Sequence, residues 1–366
     1  MAEKQGVPLA SIAGFPAEVT ARLGELWITT AEDLVSTAVN GAGPESLAQF
    51  TGLPVDEMNR LIERAVAALP PGVSFAPGDV EPHGLGALDE PADEESHGPV
   101  SFAPLPAKVD LHEKMPPVRN QGQRGTCVSF ASTAVHEYLL GETYPADSLS
   151  EQFLYWNCKR HDLYPGAGTF IHVAMNCLQS DGQPTENVWP YISTPVAGNE
   201  GQDPPPANAV EKAKEYRITS TQKLPARSVQ SLRQCLADNT PIAFAVPVYT
   251  FWFTEPVRST GDIRMPLPAD KVEGGHAMCM VGYEDDPSVP GGGYFMIRNS
   301  WDTTWASKSA VAPGYARLPY AYMTQYASAA HSAGVVKQKE EPKPAPGPNA
   351  WLRLLEMLRR LFGKSV

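Results

Sequence analysis

Cysteine is scarce in this chain: Cys127, Cys158, Cys177, Cys235 and Cys279 are the only five among 366 residues, and none forms a CxxC pair. An odd, scattered set excludes a disulfide-stapled scaffold and a cysteine knuckle for zinc, and it suits a reducing compartment. Long apolar runs are also missing, none approaching the roughly 18 residues of a membrane span. The opening stretch, MAEKQGVPLASIAG, lacks the apolar core of a secretory leader, so a cytoplasmic location is expected. Basic charge is in short supply. Twenty-nine Lys and Arg face 41 Asp and Glu, giving a net charge of −12 and a pI near 5.2, which removes any general attraction to nucleic acid or anionic lipid. No cofactor and no metal are expected. What remains is 42% apolar residues, enough for one full core and a smaller second one.

Composition divides the chain into five stretches. In residues 1–70, FPAEVTARLGELWI, TAEDLVSTAV and LPVDEMNRLIERAVAAL space their apolar residues three and four apart, as half-buried helices require. Thr30 is placed to cap the helix that begins with Glu32 and Asp33 in its first turn. Gly14-Phe15-Pro16 and Gly52-Leu53-Pro54 each open a helix with proline near its first position. Trp27 to Leu34 (WITTAEDL) resembles the pattern of helix-hairpin-helix-like domains. Only 4 basic residues accompany 9 acidic ones up to Pro70, so a protein contact is expected there rather than DNA binding. Residues 71–103 are rich in Pro, Gly, Asp and Glu and read as an acidic linker, bracketed by VSFAP at Val73 and again at Val100. Residues 104–332 carry the chemistry. A Pro/Lys-rich linker, 333–349, leads to a basic amphipathic helix, 350–366, with Trp351, Leu354, Leu355, Leu358, Leu361 and Phe362 on one face, suited to a protein partner, a second copy or a membrane surface.

Within the third stretch, NQGQRGTCVSFASTAVHEYLL sets Cys127 at the start of a helix whose apolar stripe is Phe130, Ala134, Val135, Tyr138 and Leu139. A helix N-terminus favours thiolate, and Gly122 and Gly125 keep the preceding loop narrow. A nucleophilic thiol needs an imidazole. His276, in EGGHAMCMVGYED, is placed at the start of a buried strand. The next strand, in GGGYFMIRNSWDTTW, ends by presenting Asn299, Ser300 and Trp301, an amide to orient the ring and an indole to cover it.

Together these blocks resemble the papain-like (C1) cysteine peptidases, prokaryotic type. PPVRNQGQRGTCVSFA is similar to the segment from the oxyanion glutamine, here Gln121, to the nucleophile; LSEQFLYWNC, GGHAMCMVGY and RNSWDTTW follow in family order. His276 lies 149 residues after Cys127, inside the family's usual spacing, and Asn299 lies 172 after it. The resemblance implies an α+β, two-lobed fold beside the small N-terminal all-α unit, and a thiol endopeptidase acting on polypeptides through Cys127, His276 and Asn299. By the same resemblance Gln121 supplies an oxyanion donor, Gly168 hydrogen-bonds the substrate backbone, Ala245 and Ala277 line the subsite for the second residue before the cut, and Trp301 shields the triad. It also places the mature N-terminus near Phe102 to Val109, which makes the preceding residues a pro-segment or a permanent regulatory domain that covers the cleft. Departures are Arg124 for the first signature cysteine, with Cys158 at its disulfide partner's position, Val128 for the following aromatic, and Gly275 where Asn or Asp is frequent. Acyl transfer to an amine, or a non-catalytic papain-fold interaction module, are the alternatives.

Overall fold

The computed structural model describes residues 4–39, 43–71, 75, 83–90, 104–141, 145 and 147–334. The second linker and terminal helix lie outside these, apart from residues 333 and 334. So do both VSFAP copies, apart from Phe75 and Pro104.

Four helices open the chain: α1 (Ala17–Gly24), α2 (Ala31–Val39), α3 (Gly43–Thr51) and α4 (Val55–Ala68). Pro16 and Pro54 stand immediately before α1 and α4, and Gly14 and Gly52 take φ of +74° and +78° in the turns that precede them. Thr30 Oγ1 accepts from the Asp33 N–H at 3.2 Å, while Asp33 Oδ2 accepts from Lys4 at 3.0 Å. This unit docks on the sheet lobe rather than over the cleft. Trp27 is fully buried, stacks on Tyr294 at 6.5 Å and lies under the Arg317 guanidinium at 5.3 Å. The Met265 N–H donates to Leu26 O at 3.0 Å.

The peptidase-like region continues with β1 (Lys108–Asp110), α5 (Cys127–Leu140), α6 (Glu151–His161), α7 (Ile171–Ser180), α8 (Ala209–Ala213), β2 (Ser220–Lys223), α9 (Val229–Ala237), β3 (Ile242–Tyr249), α10 (Glu255–Thr260), β4 (Val272–Asp285), β5 (Gly293–Arg298), β6 (Tyr315–Pro319), α11 (Tyr320–Tyr326) and β7 (Ala329–Gly334). The strands form a seven-stranded antiparallel sheet in the order β2-β7-β3-β4-β5-β6, with β1 paired to the far end of β4. Against this sheet stand the helices of the other lobe, α5, α6 and α7. The fold is therefore α+β, helices with an antiparallel sheet. No helix among the described residues is long and apolar enough to cross a membrane.

Two elements differ from the sequence reading in instructive ways. α5 is buried on every side from Cys127 to Tyr138, not along one stripe, because it is packed between the sheet and α6 and α7. Some of its polar residues are bonded internally: Ser129 Oγ donates to Thr126 O, and Thr133 Oγ1 accepts from Gln183 Nε2 at 2.7 Å, while Ser132 Oγ and His136 Nε2 are buried without a partner. His276 sits well inside β4, opposite Val246, instead of at the strand's first residue.

Candidate active site

Five sequence elements converge on the cleft. Cys127 is the first residue of α5, with Thr126 before it as the helix cap, so its own N–H is one of the unbonded donors of the helix start. Its sulfur is fully buried and lies against the backbone N–H groups of Ala277 and Gly86. On β4, His276 Nε2 is 2.8 Å from Asn299 Oδ1, and Nδ1 has no hydrogen-bond partner, leaving that nitrogen for chemistry. Asn299 follows the end of β5; the Ser300 N–H also donates to its Oδ1, which fixes the amide. Trp301 stacks on the imidazole at a centroid distance of 4.6 Å and is itself buried by Phe253, Trp252 and Trp305. The ring is thus oriented by one neighbour and kept from water by another.

Gln121 is completed by the same loop. Ser300 Oγ donates to its Oε1 at 2.6 Å, which turns Nε2 inward as a donor. Ala245 and Ala277 face one another as register partners on β3 and β4, both buried. Gly168 behaves differently from its expected role. Its N–H is taken by Tyr155 Oη at 2.9 Å and its carbonyl by Lys159 Nζ at 2.9 Å, so it has no backbone group to offer a substrate. Thr169, one residue on, uses its own N–H and carbonyl to pair with residues 86 and 88 of this chain.

Residues 83–90, part of the acidic linker, occupy the cleft in extended form. The Gly84 N–H donates to Gly122 O at 3.0 Å, and Gln121 Nε2 donates to Gly84 O at 2.7 Å. The Thr169 N–H donates to Gly86 O at 2.9 Å, the Leu88 N–H to Thr169 O at 3.0 Å, and the Ala87 N–H to Gly275 O at 3.1 Å. The pairing of Ala87 with Thr169 is parallel. His83 stacks on Trp301 at 4.9 Å at one end. At the other, buried Glu90 accepts from His331 Nε2 at 2.8 Å and from the His172 N–H at 2.8 Å. Glycine makes this close approach feasible: a Cβ at Gly84 or Gly86 would fall 2.1 Å from the carbonyl oxygen of Arg124 or Gly125, and one at Gly275 would fall 2.1 Å from Ala87 O. The unexpected glycine before the histidine is therefore what lets Ala87 seat.

Covering the cleft changes its electrostatics. Burial pushes the Cys127 thiol up to about 11, against the Ala277 and Gly86 N–H groups that act to lower it. Burial pulls the His276 imidazole down to about 4; the Asn299 bond opposes this, and nearby His83 adds to it. Both groups are neutral in the covered state.

The match to known proteins agrees with this geometry. The profile of the papain family cysteine proteases matches residues 105–332. The chain belongs to the papain family of cysteine proteases. Among curated family relatives, an uncharacterized peptidase C1-like protein of Acanthamoeba polyphaga mimivirus is 23% identical over 215 residues, 56% of this chain and 64% of that one. Mouse cathepsin K is 28% identical over 218 residues, 58% of this chain and 60% of that one. The chain thus spans less than two thirds of either relative's length. Among solved structures, xylellain, a cysteine protease from Xylella fastidiosa, superposes with a TM-score of 0.59 at 28% identity, covering 70% of this chain and 97% of that one.

Proposed function

We propose that this chain is a papain-type cysteine endopeptidase, of bacterial-type organisation like xylellain, held inactive by its own residues 83–90. The observation that carries the reading is the row of Asn299 Oδ1, His276 with its unpartnered Nδ1, and the Cys127 sulfur against the residue that follows His276. Once the segment leaves, solvent returns and the thiol and imidazole can exchange a proton to form the reactive ion pair. The thiolate then attacks a peptide carbonyl. Gln121 Nε2 and the Cys127 N–H hold the resulting oxyanion, a role prefigured by the Gly84 carbonyl that Gln121 now binds. His276, positioned by Asn299 and screened by Trp301, passes its proton to the leaving amine, and water cleaves the thioester. Substrate backbone pairs with Thr169, and the small side chains of Ala245 and Ala277 leave room for a bulky apolar residue two places before the cut. A profile demanding a charged residue there would remove that assignment. The five free cysteines support a reducing, cytoplasmic setting. The helical unit of residues 4–71 serves as an anchor that keeps the covering segment close to the cleft, and its exposed faces are available to a protein partner.

The experiment compares the full chain, a chain starting at Pro104, and Cys127→Ala versions of both. Peptide hydrolysis and the intact mass of each protein are followed over time. Hydrolysis by the shorter chain, little by the full chain and none by either alanine variant is expected. Equal turnover by the full and shortened chains would refute the inhibitory role of 83–90; turnover that survives Cys127→Ala would refute the peptidase assignment.

A further inference from the structure

Away from the cleft, the last turns of α6 and α7 gather four side chains of a kind that bind metals. Cys158 and His161 are three apart on α6; Cys177 and Asp181 are four apart at the end of α7, so each pair shares one face of its helix. The donor atoms of His161, Cys177 and Asp181 lie within 4.8 Å of one another, and buried Cys158 lies three residues before His161 on α6. We propose that His161, Cys177 and Asp181 hold a zinc ion that clips α6 to α7, with Cys158 turning in as the fourth ligand when the metal binds.

The donor set suits zinc: two sulfurs, one imidazole nitrogen and one carboxylate oxygen, the ligands this borderline-soft ion takes in closed structural sites. Tetrahedral coordination at zinc's usual bond lengths puts ligand atoms about 3.5 Å apart. The His161, Cys177 and Asp181 donors close to that with about 1 Å of adjustment, which exposed His161 can supply by rotation, and Cys158 must turn further to join them. Asp181 is already oriented for the task. Asn157 Nδ2 and Ser180 Oγ both donate to its Oδ2, at 3.0 and 2.8 Å, leaving Oδ1 to coordinate. Both helices bring their C-terminal ends to the cluster, and the partial negative charge there favours a cation. Zinc binds thiolate, so its binding displaces thiol protons and strengthens as pH rises. The clip closes the loop between the helices, whose carbonyls at Tyr164, Gly166 and Gly168 are already held by Lys159, and so fixes the edge that ends at Thr169.

The test uses the full chain carrying Cys127→Ala, which removes the cleft thiol as a competing ligand. Reduced protein is incubated with zinc or cobalt(II) and desalted; bound metal is then counted by emission spectrometry. One metal per chain, a thiolate-to-cobalt charge-transfer band and a raised melting temperature with zinc are expected. His161→Ala and Asp181→Asn, which alter partly solvated groups and spare the core, should each weaken zinc binding by about a hundredfold or more. Cys158→Ser combined with Cys177→Ser should abolish the cobalt band. The proposal fails if the parent retains well below one metal, if His161→Ala binds as tightly as the parent, or if cobalt binds without a thiolate band. It fails equally if the purified protein is two hydrogens lighter because Cys158 and Cys177 are oxidised to a disulfide.

Discussion

Adding one methyl group to Gly86 should activate the full-length chain. The covering segment is held by five backbone-directed hydrogen bonds: the Gly84, Ala87 and Leu88 N–H groups donate to the carbonyls of Gly122, Gly275 and Thr169, while Gln121 Nε2 and the Thr169 N–H donate to the carbonyls of Gly84 and Gly86. At about 1 kcal/mol net each, they amount to roughly 5 kcal/mol before the Glu90 contacts are added. An alanine Cβ at position 86 would sit 2.1 Å from the Gly125 carbonyl oxygen and 2.6 Å from its Cα. Both are backbone atoms of the loop that presents Cys127, so the segment itself must move. Overpacking of this kind costs about 1–3 kcal/mol, which raises the uncovered population roughly 5- to 150-fold. Uncovering also releases the thiol from burial; a thiol at about 11 instead of 9.0 has a hundredfold less thiolate at neutral pH. The assay is the rate of Cys127 alkylation by iodoacetamide at pH 7, read by intact mass for wild type, Gly86→Ala and Gly24→Ala. Gly24 is a sound control because a Cβ there meets nothing within 4 Å. Faster alkylation of Gly86→Ala alone is expected. An unchanged rate with an unchanged melting temperature would show that the segment does not rest on the loop as described.

Other consequences follow from the same contacts. In the chain starting at Pro104, Gln121→Ala should lower kcat by about 10²–10³-fold with little change in KM, because the amide acts on the developing oxyanion. Asn299→Ala frees the imidazole to turn and should cost about 10²-fold in kcat, with a shifted pH profile that Asn299→Gln partly restores. Glu90 gives the cover a pH limit. Burial alone would raise its pKa, but the His331 hydrogen bond and charge and the His172 contacts lower it from 4.5 to about 2. A depressed carboxyl stabilises the covered form fully above pH 4.5 and loses that contribution as pH falls toward 2. The full chain should therefore stay latent down to about pH 4 and lose latency below it. Glu90→Gln should weaken latency at neutral pH and flatten that dependence, as measured by active-site titration.

The groups proposed to react were legible because the chemistry they would perform imposes local signatures: a cysteine at a helix start, a histidine in a buried strand, an asparagine and tryptophan where the next strand ends. The cover was not. Composition alone makes HGLGALDE look like solvated linker, since Gly, Asp and Glu bury little apolar surface. It binds through main-chain atoms, and only the glycines at both sides of the contact, Gly84 and Gly86 against Gly125, Gly168 and Gly275, betray it. That the Gly168 backbone groups are already bonded was hidden for a related reason. It depends on Tyr155 and Lys159, two residues of α6 that no local pattern connects to that loop. The burial of α5 on every side likewise reflects partners that lie far away in sequence.

Arg124 shows how a chain without disulfides can still lock the nucleophile loop. It stands where the family signature carries a cysteine, and it is buried. Its guanidinium donates to Gln152 Oε1 at 2.6 Å, Ile192 O at 2.8 Å and Glu200 O at 2.8 Å, and it lies over the rings of Tyr155 and Tyr191. Those tyrosines continue the network: Tyr155 holds the Gly168 N–H, and the Tyr191 hydroxyl donates to Gln121 O at 2.8 Å beside Thr126 Oγ1. One cation thus joins the oxyanion glutamine, the helix start and the 192–200 loop through bonds that no reductant can break. Removing it would strand the buried Gln152 carbonyl oxygen at about 1–3 kcal/mol, release the part-buried Ile192 and Glu200 carbonyls, and leave a void beside the two tyrosine rings. Arg124→Ala should then lower stability by several kcal/mol in a denaturant titration. Arg124→Lys should recover only part of this, because an ammonium can neither reach three diverging acceptors as a planar fork nor stack on both rings. Full recovery by lysine would mean that the charge alone, and not the fork, holds this loop in place.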